Sequence, residues 1–146
     1  MNDIPVRLAA VRADLVQDNL DALIVPRADE YLGEYVPEQN ERLRWISGFT
    51  GSAGQVIVLV DRAAIFVDGR YTIQVRQQVS AECFEYQHLI DSPPVAWLCE
   101  TLAAGARVGI DTRLHTHAGF SAMQQQLAQK NIELVEVSEN LIDKHW

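Results

Sequence analysis

WISGFTGSAGQVIVLVDRAAIFVDGRY, residues 45–71, is the stretch whose reading decides the fold. Gly48, Gly51 and Gly54 stand three apart with Ser47, Thr50 and Ser52 between them, a spacing that lets the backbone take positive φ or approach another group closely. This is a shaped loop rather than a linker. Two apolar, β-branched runs follow, Gln55 to Val60 and Ala63 to Val67, separated only by Asp61 and Arg62, and they predict a hairpin of two buried strands. The second run ends at the turn signal Asp68-Gly69, so Arg70 and Tyr71 leave the strand beside a glycine loop, where binding residues are often placed.

Working outward, the chain alternates helices and strands. Pro5 to Gln17 carries Val6, Ala9, Ala10, Ala13 and Val16, with Leu8, Val11 and Leu15, at helical spacing, and Asp3 and Pro5 occupy cap and first-turn positions. Ala22 to Val25 is a short apolar run closed by Pro26, the pattern of a buried strand, and it opens into the polar, aromatic loop RADEYLGEYVPEQN. Asn40 is placed to cap a short helix through Leu43 and Trp45. After Arg70, residues 72–79 fit either a helix or a strand; a helix is expected because the chain must turn away from the hairpin. Glu82 to Ile90 alternates polar and apolar residues, which predicts an edge strand with one wet face. Asp91 or Ser92 then caps a helix with Pro93 and Pro94 in its first turn and Gly105 as its stop. A strand from Arg107 to Ile110, a helix from Thr116 to Gln129 with Phe120, Met123 and Leu127 inward, and a strand from Ile132 to Val137 complete the order. The expected fold is α/β, a single domain over residues 1–146 with a mixed sheet flanked by helices.

Composition narrows the function. The 146 residues are 48% apolar, enough for a real core, and 20 acidic against 12 basic side chains give a net charge of −8. That balance argues against nucleic acid and anionic membrane surfaces as partners, since both are bound through cationic patches. The charge-interrupted N-terminus is not a signal-peptide core, and no apolar run approaches the ~20 residues of a membrane span, so a cytoplasmic location is expected. Cys83 and Cys99 fall in no paired metal-ligand or disulfide spacing and read as reduced thiols, Cys99 in a core helix. The large aromatic Trp146 at the last position suggests a fragment cut from a longer protein.

Most candidate chemistry has a plainer explanation. His115 and His117 are the closest histidine pair, but a third zinc ligand is missing, and loop histidines ahead of a helix capped by Thr116 account for them. Asp111, Glu139 and Asp143 show no pairing suited to two metals or to acid and base roles, and read as a solvated acidic face. Ser47 and Ser52 lack the nucleophile-elbow frame. The glycine loop leads into a strand, without a following Gly-Lys-Ser/Thr, so it is a weak phosphate cradle. Arg70 divides evenly between a ligand contact and a surface ion pair with Asp68 or Asp61.

Four stretches in order carry a family resemblance. WISGFTGSAG with the hairpin and DGRY resembles the amino-terminal domain of Xaa-Pro aminopeptidases (aminopeptidase P), in the group with prolidase and creatinase. ALIVP followed by DEYLGEYV resembles the family's strand and Ser-Glu-Tyr loop, RVGID its Val-Gly-Val-Asp strand, and ENLIDKHW the Glu-Asn-Leu-Val-Asp-Lys-Ile-Trp that closes the first domain. Thr50, where relatives often carry Asp, and His145, where they often carry Ile, are the departures.

The resemblance implies a ribonuclease-H-like (creatinase N-terminal) domain preceding a "pita-bread" metallopeptidase domain that this chain lacks. Two Mn²⁺ or similar divalent ions in that catalytic domain would activate a hydroxide against the bond before proline; none of their ligands is in this chain, which is expected to bind no cofactor itself. The implied roles of the domain are to shape the substrate channel and support a homodimer, with the peptide substrate contacted by Arg70. The rival is a free-standing binding or scaffold module without peptidase activity.

Overall fold

β1 (Ala22–Pro26), β2 (Gln55–Leu59), β3 (Ala63–Val67), β4 (Glu85–His88), β5 (Arg107–Ile110) and β6 (Glu133–Glu136) form one sheet in the order β4-β3-β2-β1-β5-β6. The computed structural model describes residues 4–26, 42–50, 54–111, 115, 117–137 and 140–142, with the side chain of residue 70 excepted. β2 is antiparallel to both β1 and β3, and every other pairing is parallel, so β2 alone opposes the remaining strands. This is the expected mixed sheet of ribonuclease-H-like topology, and the expected hairpin is β2–β3, closed by the Leu59 N–H donating to Arg62 O at 2.7 Å.

The central strands are continuous apolar runs because both faces of the sheet are covered. Along β2, Val56 and Val58 belong to one core cluster, while Ile57 and Leu59 belong to the other. β3 alternates likewise, with Ala63, Ile65 and Val67 on the first face and Ala64 and Phe66 on the second. α1 (Ile4–Gln17), α2 (Arg42–Ser47) and α3 (Thr72–Gln78) supply Leu8, Leu15, Ile46 and Val75 to the first cluster. α4 (Pro94–Thr101) and α5 (His117–Ala128) supply Trp97, Leu98 and Leu127 to the second, where Trp97 meets Phe66 edge to face at 5.6 Å. Each such fully buried large side chain contributes about 1.5–3 kcal/mol.

Several local expectations are corrected. Of the apolar residues on α1, the stripe Leu8, Val11 and Leu15 is buried, whereas Val6 and Val16 are 71% and 63% exposed. The edge strand β4 is shorter than residues 82–90 and half-buried along its whole length, with no distinct wet face. Arg62, in the turn just before β3, grips Glu85 of β4 with Nε at 2.8 Å and Nη2 at 2.9 Å. Neither Asp91 nor Ser92 caps α4; Pro93, in extended backbone, is the N-cap and no side chain accepts there. The helix ends at Thr101, and Gly105, at φ +90°, instead serves the turn into β5. The cap roles of Asp3, Asn40 and Thr116 lie outside the described residues. Cys99 is half-buried on α4 against the second cluster, and both cysteines are free thiols.

Candidate functional site

Because β1, β3, β4, β5 and β6 run parallel, their carboxyl ends share one edge of the sheet, and the start of β2 joins them through the Pro26–Gln55 and Gln55–Phe66 pairs. In open α/β sheets this is the edge where ligands bind. It gathers the glycine loop, the Arg70 turn, the exit of β4 and Asp111. Two wider depressions, of about 570 and 380 Å³, lie at the opposite end around Asp61 and Arg62.

α2 delivers the chain to the glycine loop. Its C-terminal Ser47 is buried, donates its hydroxyl back to Leu43 O at 2.6 Å and accepts the Phe49 N–H at 3.2 Å. Gly48 then takes φ +85°, and a Cβ there would stand 3.3 Å from Gln78 O. At Gly54 a Cβ would press on the Phe49 ring at 3.1 Å and on Leu43 at 3.3 Å. These two positions require glycine for different reasons, handedness and close approach; Gly51 lies outside the described residues.

Arg70 occupies the middle of a 3-10 turn, Gly69–Tyr71, directly between β3 and α3. The Tyr71 N–H closes the turn on Asp68 O at 3.0 Å, and the Tyr71 ring meets Phe49 edge to face. The backbone at residue 70 is therefore anchored on one side by β3 and on the other by the glycine loop. Asp61 and residue 70 stand at opposite ends of β3, apart by roughly 16 Å for five residues of strand, and Asp68 is the carboxylate beside the turn.

Two glutamines on α3, one helical turn apart, tie the loop to this turn. Thr50 N–H donates to Gln78 Oε1 at 3.0 Å, while Thr50 Oγ1 accepts from Gln78 Nε2 at 2.8 Å and from Gln74 Nε2 at 3.2 Å. The sequence reading did not find this network. Its local signal was the i, i+4 spacing of Gln74 and Gln78, which places both on one face of α3.

Asp111, at the exit of β5, is buried rather than part of a solvated acidic face, and Asn140 Nδ2 donates to its Oδ2 at 2.9 Å. His115 is half-buried; burial pushes its pKa below the ordinary imidazole value while the Asp111 charge pulls the other way, and its Nε2 finds no hydrogen-bond partner among the described residues. His117 is exposed in the first turn of α5. Among the described residues no three His, Cys, Asp or Glu side chains converge as metal ligands, and no described helix is long and apolar enough to cross a membrane. Glu139 and Asp143 lie outside the described residues.

A three-layer α/β domain with its shaped loops at the carboxyl edge of a ribonuclease-H-like sheet defines the class. The chain belongs to the creatinase/prolidase N-terminal domain family, whose model matches residues 7–144. It is 36% identical over 141 residues to rat Xaa-Pro aminopeptidase 2, covering 97% of this chain and 21% of the relative. Aminopeptidase P2 of Arabidopsis thaliana is 38% identical over 130 residues, 87% of this chain and 18% of the relative. Among solved structures, the X-prolyl aminopeptidase of Caenorhabditis elegans, described as a cytosolic enzyme with a di-nuclear active site, superposes with a TM-score of 0.90 at 25% identity, over 98% of this chain and 25% of that one. The N-terminal domain of the cytoplasmic peptidase PepQ from Mycobacterium tuberculosis gives 0.72 at 25% identity, over 95% of this chain and 97% of that one. The chain thus spans about a fifth of the length of the rat and plant relatives. The described residues do not fit a di-nuclear metal centre of their own.

Proposed function

We propose that this chain is the non-catalytic N-terminal domain of an Xaa-Pro aminopeptidase, a metallopeptidase that releases the first residue of peptides with proline second. The observation that carries the reading is the match to Xaa-Pro aminopeptidase 2, which runs through 97% of this chain while occupying 21% of the relative. A C-terminal catalytic domain in the same polypeptide holds two divalent ions, Mn²⁺ in this proposal. The N-terminal domain shapes the channel through which the peptide reaches them, Arg70 contacts that peptide, and the domain supports a homodimer in the cytoplasm.

The test compares the polypeptide encoded by the complete reading frame with the 146-residue chain, both purified free of contaminating peptidase, on the tripeptide Arg-Pro-Pro with added Mn²⁺. Release of arginine by the longer protein alone is expected. Cleavage by the 146-residue chain would overturn the non-catalytic assignment, and a reading frame that stops at Trp146 would replace it with the free-standing binding or scaffold module.

A further inference from the structure

His88 closes β4, pairs in register with Val67 at the end of β3, and so stands beside the turn that carries Arg70. Its Nδ1 accepts the backbone N–H of Ile90 at 3.2 Å. An accepting ring nitrogen carries no proton, so the neutral imidazole holds its hydrogen on Nε2. Nε2 points to Gly69: a Cβ built on that glycine would lie 3.5 Å away. Gly69 has no side chain to stand against this nitrogen, and the Nε2–H has no acceptor among the described residues. His88 also lines a cavity of about 140 Å³ between α3 and β4, with Val67, Val75 and Tyr86 as apolar walls and Thr72 and Arg76 as polar ones. The Arg76 guanidinium is held 5.2 Å above the Tyr86 ring. This cavity's volume suits a single aliphatic side chain.

We propose that His88 is a second ligand-contacting residue of the Arg70 site, donating Nε2–H to a carbonyl or carboxylate oxygen of the peptide beyond its proline, while the side chain of that same residue enters the cavity. The inference rests on the proposed peptide-binding role of this edge and adds the part of the substrate that is read there. Gly69 belongs to the device, because a side chain at that position would lie against the donor nitrogen.

The test uses the full-length enzyme with tripeptides Arg-Pro-Leu, as free acid and as amide, and with the dipeptide Arg-Pro, which stops short of the contact. His88→Phe keeps a ring and removes the donor; KM for the tripeptides is expected to rise about tenfold with kcat unchanged, roughly the effect of one lost hydrogen bond, while KM for the dipeptide holds. His88→Gln should recover part of the loss. Gly69→Ala, whose methyl would cover Nε2, should reproduce the His88→Phe pattern. A loss confined to the free acid assigns the acceptor as the C-terminal carboxylate, and a loss shared by the amide assigns a carbonyl. If Arg70→Ala raises KM and His88→Phe does not, the site stands and His88 is no part of it; if neither variant changes KM, the peptide-binding edge falls as well. Equal losses on dipeptide and tripeptides, with a lowered unfolding midpoint, would make His88 structural and overturn the proposal.

Discussion

Phe49 and Tyr71 meet edge to face, ring centroids 5.6 Å apart and planes at 85°. The contact joins the glycine loop to the turn that carries Arg70, and Phe49 is almost wholly buried at 1% exposure. Phe49→Ala removes the aromatic pairing and leaves a cavity under both segments, so it is expected to cost about 3–5 kcal/mol, read as a drop in the urea midpoint of the 146-residue chain. An unchanged midpoint would mean that the two segments are held independently.

Gly48 offers a sharper test of the loop. At φ +85° an L-residue is strained, and a methyl would sit 3.3 Å from Gln78 O. Gly48→Ala is expected to lose roughly 1–2 kcal/mol, and Gly48→Asn less, because asparagine tolerates left-handed backbone. Equal losses for the two would point to the Gln78 contact rather than handedness as the cause.

How much of this was legible follows from where each partner lies in the chain. β2 and β3 could be read because burial on both faces makes them continuous apolar runs bounded by turns, a purely local signal. The inward face of α1 was less legible: Val6 and Val16 are as apolar as Val11, and only the docking of the helix decides which side is covered. Asp111 was misread because its partner, Asn140, comes 29 positions later and a carboxylate at a strand end is usually solvated. The same distance problem hid the Thr50–Gln78 contact, 28 positions apart. Arg70 stood out through family resemblance; its residue type and spacing alone left a ligand contact and an ion pair equally plausible.

The Asp111–Asn140 pair ties the segment after β6 to the exit of β5. Asn140 also accepts the Ile142 N–H on Oδ1 at 2.9 Å, just where Leu141 and Ile142 enter the core. Asn140→Ala removes a hydrogen bond to a buried carboxylate and is expected to cost about 1.5–3 kcal/mol. Asn140→Asp should be no better, since it sets two carboxylates side by side. Chemical denaturation near neutral pH checks both, and a fully stable Asn140→Asp protein would contradict the role given to Asp111.

His115 sets a pH dependence with a definite sign. Burial holds its folded pKa below the ordinary value of 6.5, with Asp111 offsetting part of the shift. As the pH falls, the unfolded chain therefore takes up the proton first, and the native state loses stability from about pH 7 downward until the folded imidazole is protonated in turn. His115→Phe should flatten the fall in unfolding midpoint between about pH 7.5 and 5.5 relative to the parent chain. A steeper fall in the variant would mean that the histidine is stabilised as a cation, the reverse of the burial argument.

The Arg70 prediction belongs to the full-length enzyme. The backbone of residue 70 is fixed by the Asp68–Tyr71 turn, β3 and the Phe49 contact, so a guanidinium built on it starts from a rigid base. A planar fork of five donors suits a peptide carbonyl or carboxylate better than an ammonium does. Arg70→Ala is expected to lower kcat/KM for Xaa-Pro peptides by about 1.5–3 kcal/mol, the range of a charge-assisted hydrogen bond, and to leave the unfolding midpoint of the 146-residue chain nearly unchanged. Arg70→Lys should recover only part of the loss, because the ammonium keeps the charge and gives up the fork. The opposite outcome, unchanged kcat/KM with a marked fall in the unfolding midpoint, would make Arg70 an ion-pair partner of the turn, most simply of Asp68, and would remove the domain's proposed direct contact with substrate.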